Sequence, residues 1–293
     1  MIAAGDERPR NDDTPGSHDA AVFAFGDVGA GVFALARCGS VVGADGTPEG
    51  AALAVVLAGE RPAFAHAAGG PRDAESAGDF SHDGVRTSVV EPLARWELAL
   101  TSGDDCLELD FEAVCQAVEL DPAAHGGLHG YEQLCRVRGE ARLDGVRHEL
   151  ACLGQRGHQW GRIADGVALG RTLSAWFAED LATSVAALRP ASVSHHDGEA
   201  VDAWLLDDDT GTPHHVNEPL LSTTYDGDGR QLRAGLELWV GEEDEFPRRA
   251  AGRSLGGASL PLGDGRFDVT FMAWTMEGHS GVGPYAVMHR GRR

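Results

Sequence analysis

Residues 132–161 run EQLCRVRGEARLDGVRHELACLGQRGHQWG. Polar and apolar side chains alternate through "EQLCRVRGEARL" and "VRHELACL", with turn residues between them, which is the period of β-strands and not of helices. If the second strand continues extended to Gly161, then Leu150, Cys152, Arg156, His158 and Trp160 share one face and Leu153, Gln155 and Gln159 the other. An apolar stripe therefore turns into Arg-His-Trp at its end. Burying an arginine or histidine unpaired costs several kcal/mol, so these groups need partners or a wet cavity. The glycines at 154, 157 and 161 permit a bulge or a close backbone approach there.

The rest of the chain repeats this style. "AVFAFG", "GVFALARCG" and "AALAVVLAG" are short, apolar throughout and bounded by glycine, while "RTSVV", "RWELALTS" and "CLELDFEAV" follow as further strand candidates. Beyond residue 165 come "TLSAWFAE", "AVDAWLLDDDTG", "QLRAGLELWVG" and "RFDVTFMAWTMEGHSGVGPYAVMHR". In "LRAGLELWV", Leu232, Ala234, Leu236, Leu238 and Val240 fall on one face. Regularly spaced strands with Gly/Asp turns predict an all-β protein of barrels or sandwiches, not βαβ units. Short helices are possible at 113–126 and 177–188, and the charged stretch 241–257 reads as an exposed loop. With 293 residues the chain suits two domains, expected at 19–164 and 165–293. Residues 1–18 hold almost no large apolar side chain and are expected to form a disordered tail.

Composition narrows the function. The formal charge is −22, and all 24 basic residues are arginine; such a field repels nucleic acid and anionic membrane surfaces. No apolar run is long enough to span a membrane and the first residues lack the apolar core of a signal peptide, so a cytoplasmic protein is expected. Five scattered cysteines without CxxC spacing fit a reduced compartment and read as small buried hydrophobes. No GxGxxG follows a strand and no phosphate loop occurs, so no nucleotide cofactor is expected. "GHSGV" at 278–282 has Val282 where a nucleophile elbow needs glycine. The doublets His195-His196 and His214-His215 would point to opposite faces of an extended chain, so no metal site is expected. Nothing in the sequence sets an oligomeric state.

The stretch 130–162, "GYEQLCRVRGEARLDGVRHELACLGQRGHQWGR", resembles the motif of the bacterial relatives of hydroxyneurosporene synthase (carotenoid 1,2-hydratase) and the tocopherol cyclase-like proteins. "VVEPLARWELAL" at 89–100 and the closing "MEGHSGVGPYAVMHR" resemble further parts of that pattern. The resemblance implies two lipocalin-like antiparallel β-barrel domains packed together around a pocket for a hydrophobic isoprenoid- or polyketide-like molecule. The sequence departs from the motif at its centre, with Gly157 where an aspartate is usual, Gln159 where a serine is usual, and "IAD" at 163–165 in place of "RdW".

Hydration or cyclisation of such a molecule needs a proton donor, aromatic walls and exclusion of water. The candidate proton carriers are His158, Glu132 and Asp165, with Arg156, Gln159, Trp160, Tyr131, Trp176 and Trp274 as candidate substrate-binding residues. On an extended strand Glu132 shares a face with Leu134; desolvation against an apolar wall would raise its pKa, whereas an ion pair with Arg156 or Arg136 would leave it an inert carboxylate. Two readings follow: a cofactor-independent lyase or isomerase of hydratase or cyclase type, or a carrier of a hydrophobic small molecule in which the motif is a structural plug.

Overall fold

The computed structural model describes residues 2–10, 12–71, 79–193, 195–208, 210–241 and 246–290. It is almost entirely antiparallel β, in two sheets. The first contains β1 (Ser17–Asp27), β2 (Val32–Val42), β3 (Pro48–Ala58), β4 (Arg61–Pro71), β5 (Phe80–His82), β6 (Val85–Glu91), β7 (Arg95–Ser102), β8 (Asp105–Ala113), β9 (Val118–Glu119), β10 (His129–Leu143) and β11 (Val146–Arg162). The second contains β12 (Val167–Ala178), β13 (Leu181–Pro190), β14 (Ala200–Leu206), β15 (His214–His215), β16 (Glu218–Tyr225), β17 (Gln231–Trp239), β18 (Arg248–Leu262), β19 (Gly265–Met276) and β20 (His279–His289).

Both sheets are meanders in which the first long strand returns to pair with the last: β1 lies beside β11, and β12 beside β20. The first sheet curls until β5 packs over β2 and β3, nearly closing a barrel, and the second forms a half-barrel. The lipocalin-like architecture is therefore the one expected, although neither hydrogen-bond ladder closes among the described residues.

Three apolar layers follow from strand phase. In β3, Ala52, Ala54 and Val56 face the interior of the first barrel, while Leu53, Val55 and Leu57 face outward. In β2, Val32, Ala34, Ala36 and Cys38 face inward, while Phe33 and Leu35 face outward. The outward set packs against Trp176, Trp204, Ala258, Leu260, Val269, Phe271 and Val282 of the second sheet. A third cluster, including Leu236, Leu238, Met272, Trp274 and Tyr285, fills the second half-barrel. This explains why β1–β3 are apolar throughout: they are buried on both faces.

Several expectations give way. Residues 4–7 form a 3-10 turn, and Glu7 is 4% exposed, so the segment read as a disordered tail is packed against the first barrel. The Glu7 carboxylate and the Asp6 carbonyl oxygen hold it there, as described below, which local composition does not reveal. The stretch read as a loop at 241–257 enters β18 at Arg248; residues 242–245 lie outside the described residues. Its small residues serve close packing, since a Cβ on Gly256 would lie 2.6 Å from the Glu60 carbonyl oxygen. The possible helix at 177–188 is the end of β12, a turn and most of β13, and that at 113–126 runs from the last residue of β8 through β9 into turns. Leu232 is 44% exposed, whereas Ala234, Leu236 and Leu238 are buried; a register shift at Thr224/Tyr225 takes Leu232 out of phase. β11 carries no bulge, for its pairing with β1 runs unbroken from Leu153 to Arg162. Among the described residues the five cysteines form no disulfide, and Cys38, Cys115 and Cys135 are buried.

Candidate active site

The two faces of β11 lead to different places. Arg156, His158 and Trp160 face the interior of the first barrel, and there they meet the segment ahead of β1. The Glu7 carboxylate accepts hydrogen bonds from Arg156 Nη1 (3.0 Å) and Nη2 (2.7 Å), Trp96 Nε1 (3.3 Å) and the Leu93 backbone N–H (3.0 Å). Both partners of this ion pair are almost wholly buried. Arg156 Nη1 also donates to Tyr131 Oη at 2.9 Å, and the guanidinium lies 4.2 Å from the centre of the Trp96 ring. Burial pushes the Tyr131 phenol above its ordinary value.

His158 is equally tied down. Its Nε2 lies 2.6 Å from Asp19 Oδ1 and its Nδ1 lies 2.8 Å from the Asp6 carbonyl oxygen. The Arg10 backbone N–H donates to the other Asp19 oxygen, and the Arg10 guanidinium stacks 4.2 Å over Trp160. The space left around Arg156 and His158 is about 10 Å³, barely room for one water. This end of the barrel is filled by the chain itself.

The opposite face opens on a cavity of about 330 Å³ between the two sheets. Its floor comes from the first sheet, with Val22, Ala24, Leu35, Arg37, Leu53, Glu132, Gln155, Gly157 and Gln159. The loop carrying Ala124, His125 and Leu128 closes one side, and β12, β13, β19 and β20 supply a mostly apolar roof including Leu188, Phe267 and Met288. An apolar hollow with a few convergent polar groups is the usual form of a small-molecule site.

Glu132 stands directly across from Gly157, so it belongs to this cavity and not to the barrel interior. Its Oε2 accepts from Trp204 Nε1 at 3.2 Å. Arg156 is committed to Glu7, and Arg136 to Glu179 at 2.5 Å, so neither ion pair considered for Glu132 forms. Gly157 matters here, because a Cβ would point into the cavity 3.4 Å from Glu132 Cγ and 2.8 Å from the Tyr131 carbonyl oxygen. An aspartate at 157 would thus share the cavity with Glu132.

The loop adds a group that the sequence reading missed. His125 has a side chain only 6% exposed, with Nε2 3.9 Å from Asp202 Oδ2. Desolvation holds it below the ordinary histidine value, against the pull of Glu132, Asp202 and Asp121. It lies in "DPAAHGG", where no strand periodicity gives a side chain a face, so nothing marked it out.

Of the other sequence candidates, Gln159 lines the cavity, and Trp176 borders it through Nε1–H donation to Gln155 Oε1 at 3.2 Å. Asp165 is corrected: its side chain is 91% exposed on the linker, 3.3 Å from Arg162. Trp274 is buried in the core of the second half-barrel, away from the cavity. Tyr131, Arg156, His158 and Trp160 face the filled barrel end, so His158 and Glu132 lie on opposite faces of one sheet.

One cavity group makes stability depend on pH. Burial, with Arg37 and Arg290 nearby, lowers the pKa of His18 from 6.5 to about 4. The unfolded chain therefore takes this proton first, and stability present above pH 6.5 is lost as the pH falls towards 4, by at most about 1.4 kcal/mol per pH unit. His125 acts in the same direction. A His18→Asn variant should show a flatter dependence of the urea midpoint on pH across that window.

Comparison with known proteins matches this architecture. The structure resembles CghA solved with Sch210972 (TM-score 0.67, 12% identity, covering 98% of this chain and 97% of that one). It also resembles a putative AttH from Nitrosomonas europaea (0.66, 12%, 94% and 93%) and kievitone hydratase from Nectria haematococca (0.65, 12%, 99% and 94%). No curated protein matches the chain in sequence. The fold is the two-domain lipocalin-like one shared with these structures, as the resemblance at 130–162 implied. The chain belongs to the family described as a domain of unknown function, DUF7064, whose model matches residues 4–290. No helix among the described residues is long and apolar enough to cross a membrane.

Proposed function

We propose that the chain is a cofactor-independent lyase or isomerase of hydratase or cyclase type, acting on a hydrophobic isoprenoid- or polyketide-like molecule in the cavity between the sheets. The observation that carries this reading is the placing of Glu132 and His125 together on the wall of a mostly apolar hollow of about 330 Å³. Proton transfer to and from a substrate needs two such groups within reach of it, in a space from which bulk water is held back. His125, kept neutral by burial, suits the base; Glu132, fixed by Trp204, suits the partner that gives or receives the same proton. One structural neighbour is named a hydratase, which agrees with this class of reaction.

A carrier is the second reading, favoured by the locking of Arg156 into an ion pair with Glu7 and of His158 into close contact with Asp19. The two part on one measurement. Purified protein is incubated with apolar cell extracts, and the bound and free small molecules are followed by mass spectrometry. The enzyme reading expects a compound that gains or loses water, or isomerises, with wild-type protein and not with His125→Ala. Recovery of a bound ligand unchanged after prolonged incubation would establish the carrier instead.

A further inference from the structure

The cavity floor has a polarity that its apolar lining conceals. Glu132 on β10 pairs with Gly157 on β11, Gly157 with Val22 on β1, and Val22 with Arg37 on β2. These four residues form one row across four adjacent strands, on one face, and all line the cavity. Three strand spacings separate the ends, about 14 Å between backbones. A carboxylate therefore stands at one end of the row and a guanidinium at the other. Between them lie only a glycine and a valine.

The Arg37 end is built for a negative charge. Among the described residues no carboxylate lies within ion-pair distance of the Arg37 guanidinium; its Nη1 donates instead to Gln159 Oε1 at 2.7 Å. With its carbonyl so engaged, Gln159 keeps its amide nitrogen as a further donor. His18 lines the same end, with the cationic Arg290 close enough to oppose its protonation. In a chain of net charge −22, an arginine that touches no carboxylate and feels only the more distant Asp19 is costly in a half-buried cavity. A ligand anion would remove that cost, and charge-assisted hydrogen bonds from a guanidinium fork and an amide are the strongest a protein offers to a carboxylate or enolate.

Resting on the proposed cavity site, we infer that its substrate is an apolar molecule with an anionic head, a carboxylate or acidic enol, which pairs with Arg37 and Gln159 while the apolar body lies over Gly157 and Val22. The reacting part then falls at the far end, beside Glu132 and His125. Arg37 sets specificity and orientation and takes no part in the proton transfer.

The test uses two fluorescent probes of nearly the same shape, anionic 1-anilinonaphthalene-8-sulfonate and uncharged N-phenyl-1-naphthylamine, titrated into the full chain. Wild-type protein should bind both. Arg37→Met should weaken the anionic probe about tenfold or more and leave the neutral one within about twofold, while Arg37→Lys, which keeps the charge, should lose less. The neutral probe also reports that the Arg37→Met cavity is still formed. Equal loss of both probes, or no loss of the anionic one, would overturn the anionic head and leave the cavity reading standing. If neither probe binds wild-type protein, the cavity reading itself fails.

Discussion

Glu7→Ala is expected to lower the stability of the protein by about 3–5 kcal/mol, the cost of leaving one charge of a buried pair unpaired. The Arg156 guanidinium is 2% exposed on its side chain and has nowhere to reach water, while Trp96 Nε1 and the Leu93 N–H lose the same acceptor. Leu93 carries a left-handed backbone angle of +61°, a conformation that costs a branched residue energy and here places its N–H on Glu7. Urea unfolding at neutral pH measures the loss. Adding Arg156→Met to Glu7→Ala should restore a large part of it, because replacing a whole buried pair by apolar groups is often neutral. The exposed pair Arg162–Asp165 supplies the contrast: Asp165→Ala should change stability by no more than about 1 kcal/mol. If Glu7→Ala is equally mild, then residues 4–10 do not seal the barrel.

The second large effect falls on activity. Glu132→Gln keeps the size of the side chain and an oxygen to accept from Trp204 Nε1, but it removes the ability to take up and release a proton. Turnover of a converted substrate should fall by about 10²–10⁴, with the unfolding midpoint little changed. His158→Gln should show the reverse: a large loss of stability from the broken contact with Asp19, and unchanged turnover per folded molecule. Unaltered turnover in Glu132→Gln, or abolished turnover in a folded His158→Gln, would return the chemistry to the barrel interior.

These two variants mark where the sequence could be read and where it could not. Period two is a property of the backbone, so the strands and the facing of β11 were legible: Arg156, His158 and Trp160 do lie together, opposite Gln155 and Gln159. Which face opens on the cavity was not. A strand buried on both sides shows no difference between a barrel interior and an interface, and the eye follows the larger polar groups. Glu132 was legible through its phase with Leu134, which does lie buried at the contact between the sheets. β4, "RPAFAHAAGGP", and the first part of β18 were missed because alanine and glycine give neither alternation nor bulk. His125 and Glu7 were missed for another reason: their roles come from partners far along the chain, and no local pattern reports such a pairing.

The bond between Glu7 and Arg156 spans 149 residues. During synthesis, the carboxylate that completes the first barrel emerges from the ribosome long before the strand bearing its guanidinium, and β1 likewise waits for β11. The nascent chain therefore carries the apolar strand β1 without its partner β11, and Glu7 without Arg156, until the last strand of the first sheet has been made.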